Sequence, residues 1–293
     1  MGDAVIVSTA RTAIGTARKG TLLDVSAFDL AKYAVAEALE RSGVARNDID
    51  DLQMGESLQG GGDIARYAAV DLGLTNVPGV ALNRHCASGM AAVQGAAASI
   101  RAGMDRVVIA GGTESISSSP GAMKRKLGTD EMEPWMSPSH PATPDAPAFD
   151  MSITVGWNSA QKANVTREEM DHWACESHIR AVDAIDSGKF EDEIFPIQVT
   201  KRDGETVTFA VDEHPRRGTT MEKLGSLKPL HPEIEGFSIT AGNSSGLNDA
   251  AAAIMIVDSD YAQAHGLKPM AVIKSWASAG VPPQDTGLAP TYA

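Results

Sequence analysis

The chain has 293 residues, enough for one large domain or two ordinary ones, and its 43% hydrophobic and 22% charged content is that of a folded globular protein. A formal charge of −13 argues against nucleic acid or an anionic membrane surface as partner, while local basic groups can still meet a small anionic ligand. The apolar runs are too short to cross a bilayer and no signal-peptide profile opens the chain, so the expected address is cytoplasmic.

Taken in chain order, the first half alternates strands with helices. AVIVSTA predicts a strand. Ser26, with Asp29 three residues on, predicts a capped helix carrying Leu30, Ala34, Val35 and Leu39. DDLQMGES supplies the next strand, IARYAAVDLGL a helix, and VPGVALNRH a strand with Val80 and Leu82 on one face. A helix over 87–103 and a buried strand at DRVVIAGG complete a β-α-β-α rhythm, which favours a layered α/β domain with helices covering a sheet.

The rhythm then breaks. Ser, Pro and Gly dominate residues 115–150, too long a stretch for a connector, which predicts an inserted excursion. Within the insert, Thr166 and Glu169 form a capping box, and Met170, Trp173, Ala174, Ala181 and Ala184 give the helix an apolar stripe. EIFPIQV and TVTFAV read as short strands, and GFSITAG and AAAAIMIVD as strands that return to the α/β style. PMAVIKSWASAG begins something new.

Two cysteines make no disulfide framework, so sulfur chemistry here is reactive rather than structural. One of them, Cys86, falls in NRHCASGMAAVQGAAAS, where a strand gives way to a helix of small side chains. Unpaired amides at a helix start favour a thiolate over a thiol. Such a terminus contributes only about 0.3–1 kcal/mol, so a strong nucleophile needs a basic partner as well. Gly89 and Gly95 each cost the helix roughly 0.5–1 kcal/mol relative to alanine, and close approach by backbone on several sides is the reason to expect them. That makes the helix central and buried. On position alone, a small buried hydrophobe at a tight turn is an equal reading of Cys86.

The segment NRHCASGMAAVQGAAASIRAGMDRVVIAGGTES resembles the nucleophile region of the thiolase family. VIVSTARTAIG is similar to that family's first strand, SITAGNSSGLNDAAAA to its pantetheine-side loop, and VDEHPRRGTTMEKLGSLKP to the loop that meets the adenosine end of coenzyme A. The resemblance runs in order along the chain. It implies a thiolase-like layered α/β domain with a mixed sheet at 1–118 and 244–268, an inserted coenzyme A-binding loop domain at 119–243, and the start of an incomplete C-terminal domain at 269–293. The activity implied is that of an acyl-CoA C-acyltransferase in fatty acid and lipid metabolism. The resemblance also implies no permanently bound cofactor, coenzyme A and acyl-CoA as substrates, and a homodimer or homotetramer.

By position in those motifs, Cys86 would take the acyl group and its backbone amide would help hold the oxyanion. Ser245 would hydrogen-bond the pantetheine chain, with Ala241, Leu247 and Met151 lining it. Arg216 would meet the adenosine-phosphate end, and His231 would stand where an aromatic ring often packs on adenine. Asp150 replaces a histidine that several family members carry. The family's Asn-Glu-Ala-Phe segment, Gly-His-Pro histidine and second reactive cysteine have no match in the sequence. These groups are expected beyond Ala293, so residues 1–293 alone are expected not to turn over.

The remaining features read as structural. Cys175, mid-helix, is expected to be a buried inert thiol. His85 neighbours Cys86, but adjacent strand side chains point to opposite faces, which makes it a poor base. The basic run Lys124–Lys126 reads as a solvated tip, and QGGGD as a turn without phosphate-loop spacing. No metal-ligand cluster is apparent. Two rivals remain: a ketoacyl synthase, which also starts from a cysteine at a helix tip, and a non-catalytic coenzyme A-binding or oligomer-forming fragment.

Overall fold

The computed structural model describes residues 2–293. In chain order the chain forms β1 (Ala4–Arg11), β2 (Gly15–Thr16), α1 (Ala27–Ser42), β3 (Asp51–Gly55), α2 (Ile64–Asp71), β4 (Gly79–Leu82), α3 (Ser88–Arg101) and β5 (Val107–Ser115). A hairpin of β6 (Ala122–Arg125) and β7 (Met132–Trp135) follows, then a π-helix (Ser152–Trp157) running into α4 (Asn158–Ala163), and α5 (Arg167–Asp186). The rest is β8 (Ile197–Thr200), β9 (Thr206–Phe209), α6 (Met221–Gly225), β10 (Asn248–Asp258), α7 (Ser259–Ala264), β11 (Ala271–Val272) and a 3₁₀ helix (Pro283–Thr291).

The chain divides into two compact units. The first takes in the chain up to Pro120, Phe190–His214 and Leu247–Ser275. Its seven-stranded sheet has the order β11-β1-β10-β5-β3-β4, with β2 beside β10. β3 runs parallel to both β4 and β5, while β10 is antiparallel to β5 and β1, so the sheet is mixed. Alternation along β5 assigns its two faces: Val107 and Ile109 pack with α1 and α2, and Val108 and Ala110 with α3. This is the α/β layering expected from the alternating pattern.

Caps set the helix ends. The Ser26 hydroxyl accepts from Asp29 N–H at 3.1 Å to start α1, and Gly43, at φ 68°, ends it in the left-handed conformation. Leu30, Ala34 and Val35 are fully buried and Leu39 nearly so, as the periodicity predicts. The strand pair β8–β9 lies in the first unit rather than within one continuous insert. Ile194, Phe195, Ile197, Val199 and Phe209 are buried in that unit's core, and their burial draws Phe190–His214 back to it.

The second unit holds Gly121–Lys189, Pro215–Gly246 and Trp276–Ala293. Thr166 caps α5 with both reciprocal bonds of the capping box present. The buried face of α5 differs from the expected stripe: Asp171 and Cys175 are buried, while Trp173 is 69% exposed. Positions 171 and 175 stack one turn apart, and 173 lies on the opposite side. GFSITAG is not a strand either. Phe237 N–H donates to the Ile234 carbonyl, Thr240 N–H to Asn243 Oδ1 at 2.7 Å and Gly242 N–H to Thr240 Oγ1 at 3.1 Å, and backbone pairing is limited to a bridge between Thr240 and Pro229. Residues 115–150 contain the β6–β7 hairpin, where Lys124 pairs with Glu133 across the strands.

Candidate active site

β4 ends at Leu82 and α3 begins at Ser88, so Cys86 lies in the turn between them and is exposed. The turn is built by short polar side chains. Asn83 Oδ1 accepts the His85 N–H at 2.8 Å, and His85 takes a left-handed φ of 49°. Ser88 Oγ donates to the His85 carbonyl at 2.6 Å and accepts the Arg84 N–H at 2.8 Å. The same carbonyl accepts Ser88 N–H at 3.0 Å. The expectation that His85 and Cys86 alternate along a strand is therefore corrected. Asn83 and Ser88 have taken the backbone groups that a strand would pair, so strand alternation does not decide where the His85 ring points.

Behind this turn is a second layer. Ser57 Oγ donates to the His85 carbonyl at 3.3 Å, and Asn83 Nδ2 donates to the Ser57 carbonyl at 3.3 Å. Ser57 is itself fixed, because its N–H donates to Glu114 Oε2 at 2.9 Å. Gln59 donates its side-chain amide to Glu114 Oε1 and, at 3.2 Å, to the Ser115 carbonyl. Glu56, 7% exposed, accepts the Gln59 N–H at 3.0 Å. Burial pushes the Glu56 carboxyl up, the Gln59 bond opposes this, and the Glu114 charge adds to it. Gly60 and Gly61, at φ 92° and 79°, turn the chain away after this cluster, where a phosphate-loop reading fails.

The α3 terminus sits hard against the sheet. A Cβ on Gly55 would fall 2.4 Å from the backbone of Ser88 and Gly89, and one on Gly112 would fall 3.2 Å from Gly89 Cα. Glycine is thus required where β3, β5 and the first turn of α3 meet. The close approach falls at Gly55 on the sheet; a Cβ on Gly89 itself would lie 3.7 Å from the Gly111 carbonyl oxygen, an ordinary contact. Close packing does not extend all round the helix, since Met90 is 65% exposed.

The second unit holds most of the other predicted residues. Ala241, Ser245 and Arg216 are exposed, and Met151 is 44% exposed at the start of the π-helix. Arg216 anchors by its backbone, donating to His178 Nδ1 at 3.2 Å. Among the described residues its guanidinium has no carboxylate partner, whereas the adjacent Arg217 is bound bidentately by Asp186 at 2.7 Å and 2.5 Å. His231 is held between carboxylates, with Nε2 2.9 Å from Asp150 and Nδ1 2.8 Å from Glu233, and its ring meets the edge of Phe237. The Glu233 bond raises the imidazole's affinity for a proton, partial desolvation opposes it, and the Asp150 charge adds to the rise. Leu247 belongs to the first unit, is 56% exposed, and accepts Ala17 N–H through its carbonyl at 3.0 Å.

Sequence reasoning passed over Ser57, Asn83, Ser88 and Glu114. A signal was present: Glu114 lies near the end of a strand that opens on an apolar run, and a carboxylate there needs donors.

A mixed sheet with helices on both faces, a cysteine held at a helix start and a small-residue loop after α6 define a class. The thiolase N-terminal domain model matches residues 4–260, and the chain belongs to the thiolase family. The acetyl-CoA acetyltransferase of Pseudomonas aeruginosa is 40% identical over 300 residues, covering 100% of this chain and 75% of that protein. The 3-ketoacyl-CoA thiolase of Bacillus subtilis is 38% identical, again over 100% of this chain and 75% of its own length. The crystal structure of the Bacillus anthracis acetyl-CoA acetyltransferase superposes with a TM-score of 0.89 at 35% identity, covering 100% of this chain and 75% of that one. The chain thus spans about 75% of the length of these relatives. No helix among the described residues is long and apolar enough to cross a membrane.

Proposed function

We propose that the chain is an acyl-CoA C-acyltransferase of the thiolase type, with Cys86 as the acyl carrier. Cys86 sulfur attacks the ketone carbon of a 3-oxoacyl-CoA, and the bond to the neighbouring carbon breaks. The electron pair leaves on acetyl-CoA, whose carbon gains a proton, while the acyl group stays on sulfur. Coenzyme A then attacks the acyl-enzyme, and the proton its thiol gives up balances the one acetyl-CoA gained. The reverse, Claisen direction uses the same groups.

The observation that carries this reading is an exposed thiol in a rigid turn. Asn83 and Ser88 fix the backbone around Cys86, and Ser57 and Glu114 brace it from the sheet. A nucleophile held in one geometry spends less freedom in reaching its transition state. Ser245, Ala241, Leu247 and Met151 would contact the pantetheine arm, Arg216 a phosphate, and His231 the adenine side. The unpaired Arg216 guanidinium supports that assignment, because anion binding favours a cation not already neutralised.

Coenzyme A and acyl-CoA act as substrates, and no cofactor is held permanently. A cytoplasmic homodimer or homotetramer acting in fatty acid metabolism fits this reading. The outer edge of β4, with Val80 43% exposed, offers a surface for a second copy. The test is rapid mixing of the chain with acetoacetyl-CoA, following acetyl-CoA release. One equivalent per chain, lost in Cys86→Ala, is expected. Release that survives Cys86→Ala would refute the assignment.

A further inference from the structure

The loop that carries Ala241 and Ser245 has no regular backbone pairing, yet its path is fixed by a buried carboxylate on another element. Asp171 of α5 is 2% exposed. One of its oxygens accepts Arg167 Nε at 2.8 Å, and the other accepts Asn243 Nδ2 at 3.0 Å. Asn243 then ties the loop to itself: Nδ2 also donates to the Ser238 carbonyl at 3.0 Å, and Oδ1 accepts Thr240 N–H at 2.7 Å. Ser244 Oγ closes the set on the Thr240 carbonyl at 2.7 Å. Arg167 carries the same carboxylate onward to α6, donating Nη2 to the Leu224 and Leu227 carbonyls at 2.7 Å and 3.2 Å. A Cβ at Gly242 would fall 2.4 Å from Leu227 and 2.7 Å from Leu224, so the loop is pressed against the segment that Arg167 holds.

A well-packed apolar side chain could fill position 171 of α5 with similar stability, since buried ion pairs seldom exceed their apolar replacements. It could not accept from Asn243. What the carboxylate supplies is placement of the loop backbone. We infer that Asp171 and Asn243 are positioning residues that pre-form loop 240–245 for the pantetheine arm of coenzyme A. This rests on the reading of Ser245 and Ala241 as pantetheine contacts. Asn243 touches no ligand in this account; it acts by keeping the loop from having to order itself on binding.

The test compares two probes on the whole chain: coenzyme A, and its adenosine bisphosphate fragment, which lacks the pantetheine arm. Asn243→Ala leaves the Arg167–Asp171 pair in place and cuts the loop from α5. It should weaken coenzyme A binding by about tenfold, within reach of the three hydrogen bonds it removes, and leave the fragment within about twofold. Should Asn243→Ala not fold, Asp171→Leu serves, because leucine cannot accept from Asn243 and Arg167 keeps its carbonyl partners on Leu224 and Leu227. Equal coenzyme A affinity in variant and wild type overturns the inference and leaves the functional reading standing. A parallel loss of both probes also overturns it, since that marks general loosening of the unit. Failure of the wild-type chain to bind either probe overturns the pantetheine reading and the inference together.

Discussion

Cys86 and Cys175 carry the same thiol in opposite surroundings. Cys86 is exposed in a turn, while Cys175 is 7% exposed on α5 with its sulfur 3.8 Å from the Thr219 carbonyl. Alkylation follows access and thiolate character, so limiting iodoacetamide should modify Cys86 first. Peptide mapping that found Cys175 labelled ahead of Cys86 would reverse the assignment. His231 makes a second residue-scale prediction. Its proton affinity is raised by Glu233 and Asp150, and Glu233 is itself lowered by a backbone bond and by His231. A raised imidazole contributes its stabilisation in full below the unfolded value of about 6.5 and loses it as pH rises through the folded value. The lowered carboxylates act at the other end, and their contribution goes as pH falls through their folded values. Asp150→Asn should therefore lower the His231 midpoint in an NMR titration; an unchanged midpoint would mean that the 2.9 Å contact is not an ion pair in solution.

Elements were legible in proportion to how local their causes are. The Ser26 and Thr166 caps could be read from the sequence, because each cap is a bond within four residues. The α/β alternation was legible from apolar period. Trp173 misled, because a large apolar residue was given a buried place, while Asp171 holds the buried face, bonded to Asn243 72 residues away. GFSITAG misled although its causes are local: its strand-like composition is overridden by the Asn243 and Thr240 side chains, which capture backbone amides three and two residues away. At the site, Cys86 and its helix start were visible, but the brace of Ser57, Asn83 and Glu114 was not. Each of those bonds joins separate strands or turns, and register cannot be read from one strand alone. The packing of α3 gives a test at this scale. Gly55→Ala would place a methyl 2.4 Å from backbone atoms of Ser88 and Gly89 and should cost about 1–3 kcal/mol on denaturant unfolding. Gly62→Ala, with open space around it, is the control and should be near neutral. Equal behaviour of the two variants would show that the α3 terminus is not seated on β3 as described.

For the molecule as a whole, the balance of −13 is acidic, and individual basic groups are paired with carboxylates. Arg217 and Lys124 pair with Asp186 and Glu133, whereas the Arg216 guanidinium has no carboxylate partner among the described residues. The first unit supplies the thiol and its brace, and the second supplies the loop that Asp171 and Asn243 hold. Membership of the thiolase family makes acyl transfer the chemistry to which such a thiol is suited. The most direct measurement is to incubate the chain with acetyl-CoA, quench in acid and map the acyl adduct by peptide mass spectrometry. The account predicts one acetyl group on the peptide containing Cys86 and none on that containing Cys175. An adduct placed elsewhere, or sustained turnover that persists in Cys86→Ala, would contradict it.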